Sequence, residues 1–421
     1  MPGAELVLHY RRTSRHALNV LLAAVEQSPA CRRVGVRIAE GPEEAARAAR
    51  ETLAAGARPV VAWSFYSAGA AEVAAELSRV SALAPDPRVL HVAGGAHATG
   101  DPEGTLAAGF HLAAVGEGEE TLPALLARVA AGDDPRAVPG LAWRESGRLR
   151  TSGRAAPVDL EAVPAFAAGA GRLNPIEITR GCAWACRFCQ TPFLARARFR
   201  HRSLDSVRRG VRYLSAAGAR DVRFLTPSAL SYGAEGPEAN LDAVEALLAA
   251  AGEEARAGMR LFLGTFPSEL RPEHVSPRAL AILARRCANR TVILGGQSGS
   301  DRMLAAMGRG HVAADVLRAA RYALEAGFRP DVDLLFGLPG ETGEDREATR
   351  RLAGSLAALG ARVHAHAFMP LPGTPWGREP PGEIDPATRA LLERLASRGA
   401  AHGPWKAQQS LARRLREPGS G

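Results

Sequence analysis

Residues 180–189 read Arg180-Gly181-Cys182-Ala183-Trp184-Ala185-Cys186-Arg187-Phe188-Cys189. Three of the chain's five cysteines fall in this stretch, spaced C-x3-C-x2-C. Three thiolates from one glycine-led loop can hold three corners of a cubane iron–sulfur cluster, leaving the fourth iron open to a substrate or cofactor. Structural zinc would need a fourth ligand. His201 is the nearest candidate, so spacing alone leaves zinc open. Inert buried thiols are the bland alternative, which the clustering disfavours.

The segments around this loop alternate. Residues 176–179, 221–225, 261–265, 291–294, 332–336 and 363–368 are apolar runs of strand length. Amphipathic stretches at 203–217, 238–256, 277–287, 312–326 and 344–359 separate them. Six such units predict a partial or full parallel barrel over residues 174–375, here a partial (β/α)6 barrel. Upstream, residues 6–10, 34–38, 59–63, 89–92 and 113–115 read as strands. Residues 14–27, 43–55, 67–83 and 121–131 read as helices. That alternation predicts an α/β, doubly wound, Rossmann-like domain over residues 1–131. Ligands of such sheets bind beyond the carboxyl ends of the strands. Those ends carry Ser64, the run Gly94–Gly100, and Gly116–Glu119. Residues 132–173, rich in Gly, Pro and Ala, read as a linker with a short hairpin, and residues 376–421 as a helical C-terminal extension.

The 421 residues include 46% hydrophobic and 23% charged side chains, an ordinary globular balance that excludes disorder, collagen and coiled coil as the main architecture. Five cysteines are too few for a disulfide scaffold. The net charge of +9 comes almost wholly from arginine, with Lys406 the sole lysine. The arginines are dispersed, with the densest runs at 196–202 and 413–416, so nucleic acid is not an expected partner. No apolar run reaches membrane-spanning length. The N-terminus lacks signal-peptide order. A cytoplasmic protein is expected, and in that compartment clustered cysteines point to metal.

The C-x3-C-x2-C loop, with Phe188 before the last cysteine, resembles the signature of the radical SAM superfamily. Gln297-Ser298 in the fourth-strand region, followed by Arg309 and His311, and the run Asp333–Thr342 resemble later motifs of that superfamily. The resemblance implies that Cys182, Cys186 and Cys189 bind a 4Fe–4S cluster. S-adenosylmethionine (SAM) would chelate the open iron and be cleaved reductively to a 5′-deoxyadenosyl radical. It also implies an electron donor such as flavodoxin or ferredoxin. Phe188, Ser268, Glu269, Gln297, Ser298 and Arg309 are the expected SAM contacts. Arg309 suits a carboxylate, Ser268 and Glu269 suit ribose hydroxyls, and Glu269 also suits an ammonium. The Pro339–Thr342 turn is expected to cap the following helix.

Ser64 with Gly94-Gly95 about 30 residues on resembles the later two elements of cobalamin-binding domains. GGAHATG and GEGE resemble the variant of that domain found in front of radical SAM barrels. The usual D-x-H-x-x-G is absent from the stretch HYRRTSRHALN, so cobalamin would bind without that histidine. The implied cobalamin contacts are Ser64, Tyr66, Gly94, Gly95, His97, Ala98, Thr99, Gly100, Glu117, Gly118 and Glu119. A domain that binds another ligand, or has lost binding, is the competing reading. The acidic pair in GEGE argues against a phosphate cradle.

These resemblances imply a cobalamin-dependent radical SAM enzyme, a methyltransferase acting on an unactivated carbon of a small-molecule or peptide substrate. Radical cyclisation or rearrangement with the same cofactors fits the residues equally. A non-catalytic cobalamin or iron–sulfur protein fits the several strand-end motifs less well. The methylthiotransferase branch carries three further cluster cysteines in its N-terminal domain. Here that region holds Cys31 alone.

Overall fold

A computed structural model describes residues 3–195 and 198–415. Two residues of the 196–202 arginine run and residues 416–421 lie outside this description. The chain forms two compact units that divide between Asn174 and Pro175.

The N-terminal unit is a seven-stranded sheet in the order β2-β1-β3-β4-β5-β6-β7. Its strands are β1 (Ala4–His9), β2 (Gly35–Ala39), β3 (Arg58–Ser64), β4 (Leu90–Gly94), β5 (Leu112–Ala114), β6 (Leu141–Glu145) and β7 (Arg148–Thr151). The first five are parallel. Alternation within them fills two cores. Leu6, Leu8, Val60, Ala62 and Val92 face one layer, and Val7, Val61, Trp63 and Ala93 face the other. Apolar faces on both sides are what a doubly wound sheet requires. The short hairpin expected within residues 132–173 is present at 141–151. Formed by β6 and β7, it pairs antiparallel with β5 and completes the sheet. Ala142 is fully buried there against Ala113 and Leu106, which anchors the hairpin.

The second unit follows the expected strand series. It contains β8 (Ile176–Glu177), β9 (Thr179–Arg180), β10 (Arg200–His201), β11 (Asp221–Leu225), β12 (Arg260–Phe262), β13 (Thr291–Gln297), β14 (Arg329–Phe336), β15 (Arg362–Ala367) and β16 (Ala401–His402). Parallel pairs join β8, β11 and β12, and separately β13 through β16. The two arcs meet where Leu270 N–H donates to Ile293 O and Ile293 N–H to Gly264 O. The result is an open parallel arc, not a closed barrel. The C-terminal segment departs from a purely helical extension. Helices Pro386–Ser397 and Trp405–Arg414 flank β16, which adds a seventh parallel strand beside β15. Among the described residues no helix is long and apolar enough to cross a membrane.

Candidate functional site

The cysteine loop leaves β9 and returns through a short helix, Gln190–Leu194. Backbone bonds that involve no thiol hold it. Arg187 N–H donates to Met307 O at 2.9 Å, and Trp376 N–H donates to Arg187 O at 3.1 Å. Phe188 packs against the apolar cluster formed by Met303, Leu304, Met307, Leu338, Phe368 and Trp376. Cys182 and Cys186 are buried and Cys189 is half-buried. Burial pushes the Cys182 thiol up to about 11 and also raises Cys189. These thiols therefore stay protonated unless a cation takes the proton's place.

The three cysteines line a cavity of about 380 Å³ together with Gln297, Glu269, Arg309, Arg271, Trp184 and Phe266. Gln297 holds a left-handed backbone, φ 67°, at the bulge that ends β13. Arg309 donates to Gly295 O at 2.6 Å and stands 3.8 Å from Cys186 Sγ. A Cβ on Gly295 would sit 3.0 Å from Gln297 Nε2 and 3.1 Å from Arg309 Nη2, so the bare glycine keeps this part of the cavity open. The Glu269 carboxylate opens into the cavity and is reached by solvent there. Protein crowding and the charge of Asp333 raise its pKa, against Arg309 and His364, which lower it. Solvent in the cavity moderates the crowding, and the upward direction stands on both causes. Phe266, 70% exposed, marks the rim.

Three buried N–H donors around the cysteines have no acceptor among the described residues: Arg271 Nη2, Arg309 Nε and Trp184 Nε1. Orphaned donors beside three thiols match the needs of a sulfur-rich anionic group. Zinc through His201 does not match. His201 Nε2 donates to Ala234 O at 2.9 Å and Nδ1 accepts from Thr179 Oγ1 at 2.9 Å, so both ring nitrogens are committed.

Two expected SAM contacts serve the scaffold instead. Ser268, 1% exposed, accepts from Gly264 N–H and donates to Thr265 O, closing its own turn. Ser298, fully buried, accepts from Ser300 N–H and contacts Thr349 Oγ1. Short hydroxyl side chains satisfy themselves on nearby backbone, and these two do. Thr342 caps helix Gly343–Leu359 in a box with Asp345.

Deeper on the inward face of β14 and β15, register sets Asp331 beside Arg362 and Asp333 beside His364. Asp333 Oδ1, His364 Nδ1 and His366 Nε2 form a triangle with edges of 2.7, 3.1 and 3.6 Å. Its shape suits a metal, but Gln408 speaks for protons. The Gln408 carbonyl is fixed by Ala367 N–H at 2.9 Å, which turns its amide N–H toward His366 Nδ1 at 3.2 Å. His366 then carries its proton on Nε2, facing inward. His364 Nδ1 bonds Asp333 Oδ1 at 2.7 Å, which raises the pKa of His364, while His366 Nε2 stands 3.6 Å from that carboxylate, beyond hydrogen-bond reach.

In the N-terminal unit, Ser64 and Gly94 lie side by side at the ends of β3 and β4. Gly95 follows with φ 91°, and a Cβ there would stand 2.8 Å from Phe65 O and 2.9 Å from Ser64 Oγ, so only glycine fits. The run after it is a short helix, Gly95–Gly100, where a loop is the expected form. His97 is 5% exposed, bonded to Ser67 Oγ at 3.0 Å and packed on Phe65, so it is a core residue, not a free ligand. Ala98 and Glu119 are buried too. Thr99 Oγ1 accepts from Gly116 N–H, and Glu117 accepts from Val158 N–H. Gly118 packs against Leu21. Tyr66, 52% exposed, and the half-buried Gly94 and Gly100 remain accessible at this end of the sheet. His9, in the stretch that lacks D-x-H-x-x-G, lies stacked on Trp63 at 3.9 Å inside the core.

Residues 176–353 match the Radical SAM superfamily, and residues 14–126 match the B12 binding domain. This chain joins a B12-binding domain to a radical SAM domain. An uncharacterized protein of Methanopyrus kandleri is 27% identical over 347 residues, covering 70% of this chain and 64% of its own length. A tRNA-2-methylthio-N(6)-dimethylallyladenosine synthase of Pelobacter propionicus is 31% identical over 211 residues, 49% of this chain and 46% of its own. The chain thus spans between about half and two thirds of the length of these curated relatives. Among solved structures, the radical SAM methyltransferase TsrM from Kitasatospora setae, with cobalamin and a [4Fe-4S] cluster bound, superposes with a TM-score of 0.70. It is 21% identical, and the match covers 90% of this chain and 75% of TsrM. The cobalamin-dependent radical enzyme OxsB, with aqua-cobalamin and SAM bound, gives a TM-score of 0.65 at 13% identity, over 84% of this chain and 52% of OxsB. At these identities the likeness is one of fold.

Arg271 escaped the sequence reading. It follows the strand-end run TFPSEL directly, and an arginine between Leu270 and Pro272 beside that run was the available signal.

Proposed function

We propose that this radical SAM protein is a cobalamin-dependent enzyme that cleaves SAM reductively and methylates an unactivated carbon. The substrate would be a small molecule or a peptide. The observation that carries the reading is the cavity lined by three thiols and two arginines, in a chain that also holds a B12-binding domain. When bound, a 4Fe–4S cluster with one open iron supplies the electron that splits SAM, and cobalamin supplies a methyl carrier.

The chain's residues supply the rest. Cys182, Cys186 and Cys189 would hold three irons of the cluster. Arg309 offers a guanidinium to the methionine carboxylate, and Glu269 and Gln297 accept and donate beside it. Phe188 and its apolar neighbours wall the loop from solvent. Ser64, Tyr66, Gly94 and Gly95 line the accessible strand ends of the B12-binding domain. An electron donor of the flavodoxin or ferredoxin kind supplies reducing equivalents.

The test is anaerobic reconstitution with iron, sulfide and hydroxocobalamin, then incubation with SAM and a reductant. Methyl transfer yields both 5′-deoxyadenosine and S-adenosylhomocysteine, whereas cyclisation or rearrangement yields only the former. Absence of 5′-deoxyadenosine with an intact cluster refutes the enzyme reading. Absence of a corrinoid absorption band after gel filtration removes cobalamin.

A further inference from the structure

Arg271 is 5% exposed, and arginine is almost never so deeply buried unless its charge is paired. Its Nε donates to Glu273 Oε1 at 2.6 Å. Its guanidinium lies 3.7 Å from the centre of the Trp184 ring, within the cysteine loop. Its Nη2 is buried and has no acceptor among the described residues, and the side chain lines the cysteine cavity. Glu273 is tied in turn. Its Oε2 stands 3.3 Å from His311 Nδ1, and His311 Nε2 donates to Gly296 O at 3.1 Å. Tied to a carboxylate through Nε and stacked on the indole of the cysteine loop, the guanidinium thus keeps a buried nitrogen without an acceptor among the described residues, in a side chain that lines the cysteine cavity.

We propose that Arg271 sets the reduction potential of the cluster held by the three cysteines, with Glu273 as its counterweight. Reduction adds one electron, drawn from a one-electron donor that is itself oxidised, and makes the cluster one charge more negative. A fixed positive charge and a hydrogen bond to sulfur favour that reduced form. Arg271 supplies both, and Trp184 excludes the water that would screen them. Glu273 holds the guanidinium in place and offsets part of its charge. Arg309, the second guanidinium in the cavity, donates to Gly295 O through Nη2 and stands 3.8 Å from Cys186 Sγ through Nη1, so its charge adds to that of Arg271. Arg271 is thus a positioning residue for electron transfer, distinct from the SAM contacts. The inference rests on the reading of the three cysteines as cluster ligands.

The experiment is an anaerobic redox titration of the reconstituted full chain, followed by electron paramagnetic resonance, with iron and sulfide assayed in each sample. Arg271→Met should lower the ratio of reduced to oxidised cluster at a fixed poise at least tenfold, equal to 59 mV for one electron. Glu273→Gln should raise that ratio, and Arg271→Lys should fall between wild type and Arg271→Met. A merely structural role would lower iron content without this ordered, two-directional pattern. Clusters of full iron content whose ratios are unmoved in both Arg271→Met and Glu273→Gln overturn the inference. Should Arg271→Met fail to fold, a ratio that falls or stays level in Glu273→Gln overturns it by itself. A wild-type chain that takes up no iron overturns instead the underlying reading of the cysteines.

Discussion

Lowering the pH from 7 to 5 should strip several kcal/mol from the B12-binding domain, through two histidines in its core. His9 is 1% exposed and His91 is 3% exposed. Neither ring nitrogen of His9 has a hydrogen-bond partner among the described residues. Burial lowers each imidazole from 6.5 to about 4, helped by Arg11 at His9 and by His111 at His91. A folded pKa below the unfolded one means the unfolded chain binds more protons between these values. Stability is therefore full above 6.5 and drains as pH falls toward 4. At pH 5 each histidine forfeits about 2 kcal/mol relative to pH 7, or about 4 for the pair. Glu76, 3.5 Å from His9 Nε2, returns part of this by attracting the charged ring. Against a domain stability of about 5–15 kcal/mol, the loss is large. The assay is urea denaturation of the full chain at pH 7 and pH 5. His9→Phe provides the control, since phenylalanine keeps the stack on Trp63 and breaks no hydrogen bond. The variant should be at least as stable at pH 7 and lose about 2 kcal/mol less than wild type on acidification. An identical pH 7 to pH 5 difference in the two proteins would refute the reasoning.

Four further outcomes are expected. Cys186→Ala should lower bound iron and reduce 5′-deoxyadenosine formation at least a hundredfold, and full retention of both would contradict the ligand assignment. Gly295→Ala, which puts a methyl group 3.0 Å from Gln297 Nε2, should raise the KM for SAM about tenfold or more with iron content unchanged, since a crowded pocket loses roughly 1.4 kcal/mol per decade. Glu269 is neutral over a wider acidic range than an ordinary carboxylate, so SAM binding should strengthen as pH rises through its raised pKa. Glu269→Gln should flatten that profile, measured by equilibrium dialysis. Gly95→Ala meets both the φ of 91° and the Phe65 carbonyl, and retained corrinoid after gel filtration should drop about tenfold; wild-type retention would count against Gly95 as part of the cobalamin cradle.

The strand series and the cysteine loop were legible because period, spacing and residue type are local properties. What stayed hidden depended on partners distant in sequence. The hairpin at 141–151 is legible as a hairpin, but that it extends the sheet shows only where β5 offers an edge for it. Ala401 and His402 become a strand only because β15 lies beside them. Ser268 and Ser298 looked like cofactor contacts, since a hydroxyl near a strand end reads the same whether it faces a ligand or closes its own turn. His97 was read as a pocket residue from a glycine-rich run, yet that run is helical and turns the ring onto Phe65. The polar alternation of Asp331, Asp333, His364 and His366 stands in the sequence, but only strand register shows that these residues meet.

The backbone clasp on the cysteine loop bears on how such a site survives oxygen. Met307 and Trp376 grip Arg187 through peptide groups, and Phe188 is seated in an apolar nest. None of these contacts passes through sulfur. For a cluster held as proposed, loss of iron to oxidation would leave the clasp at Arg187 and Phe188 in place, and the entropy of ordering those residues, about 1–2 kcal/mol each, is already met by the surrounding scaffold. Damage is then a local injury. Repair asks only for iron, sulfide and electrons, not for refolding.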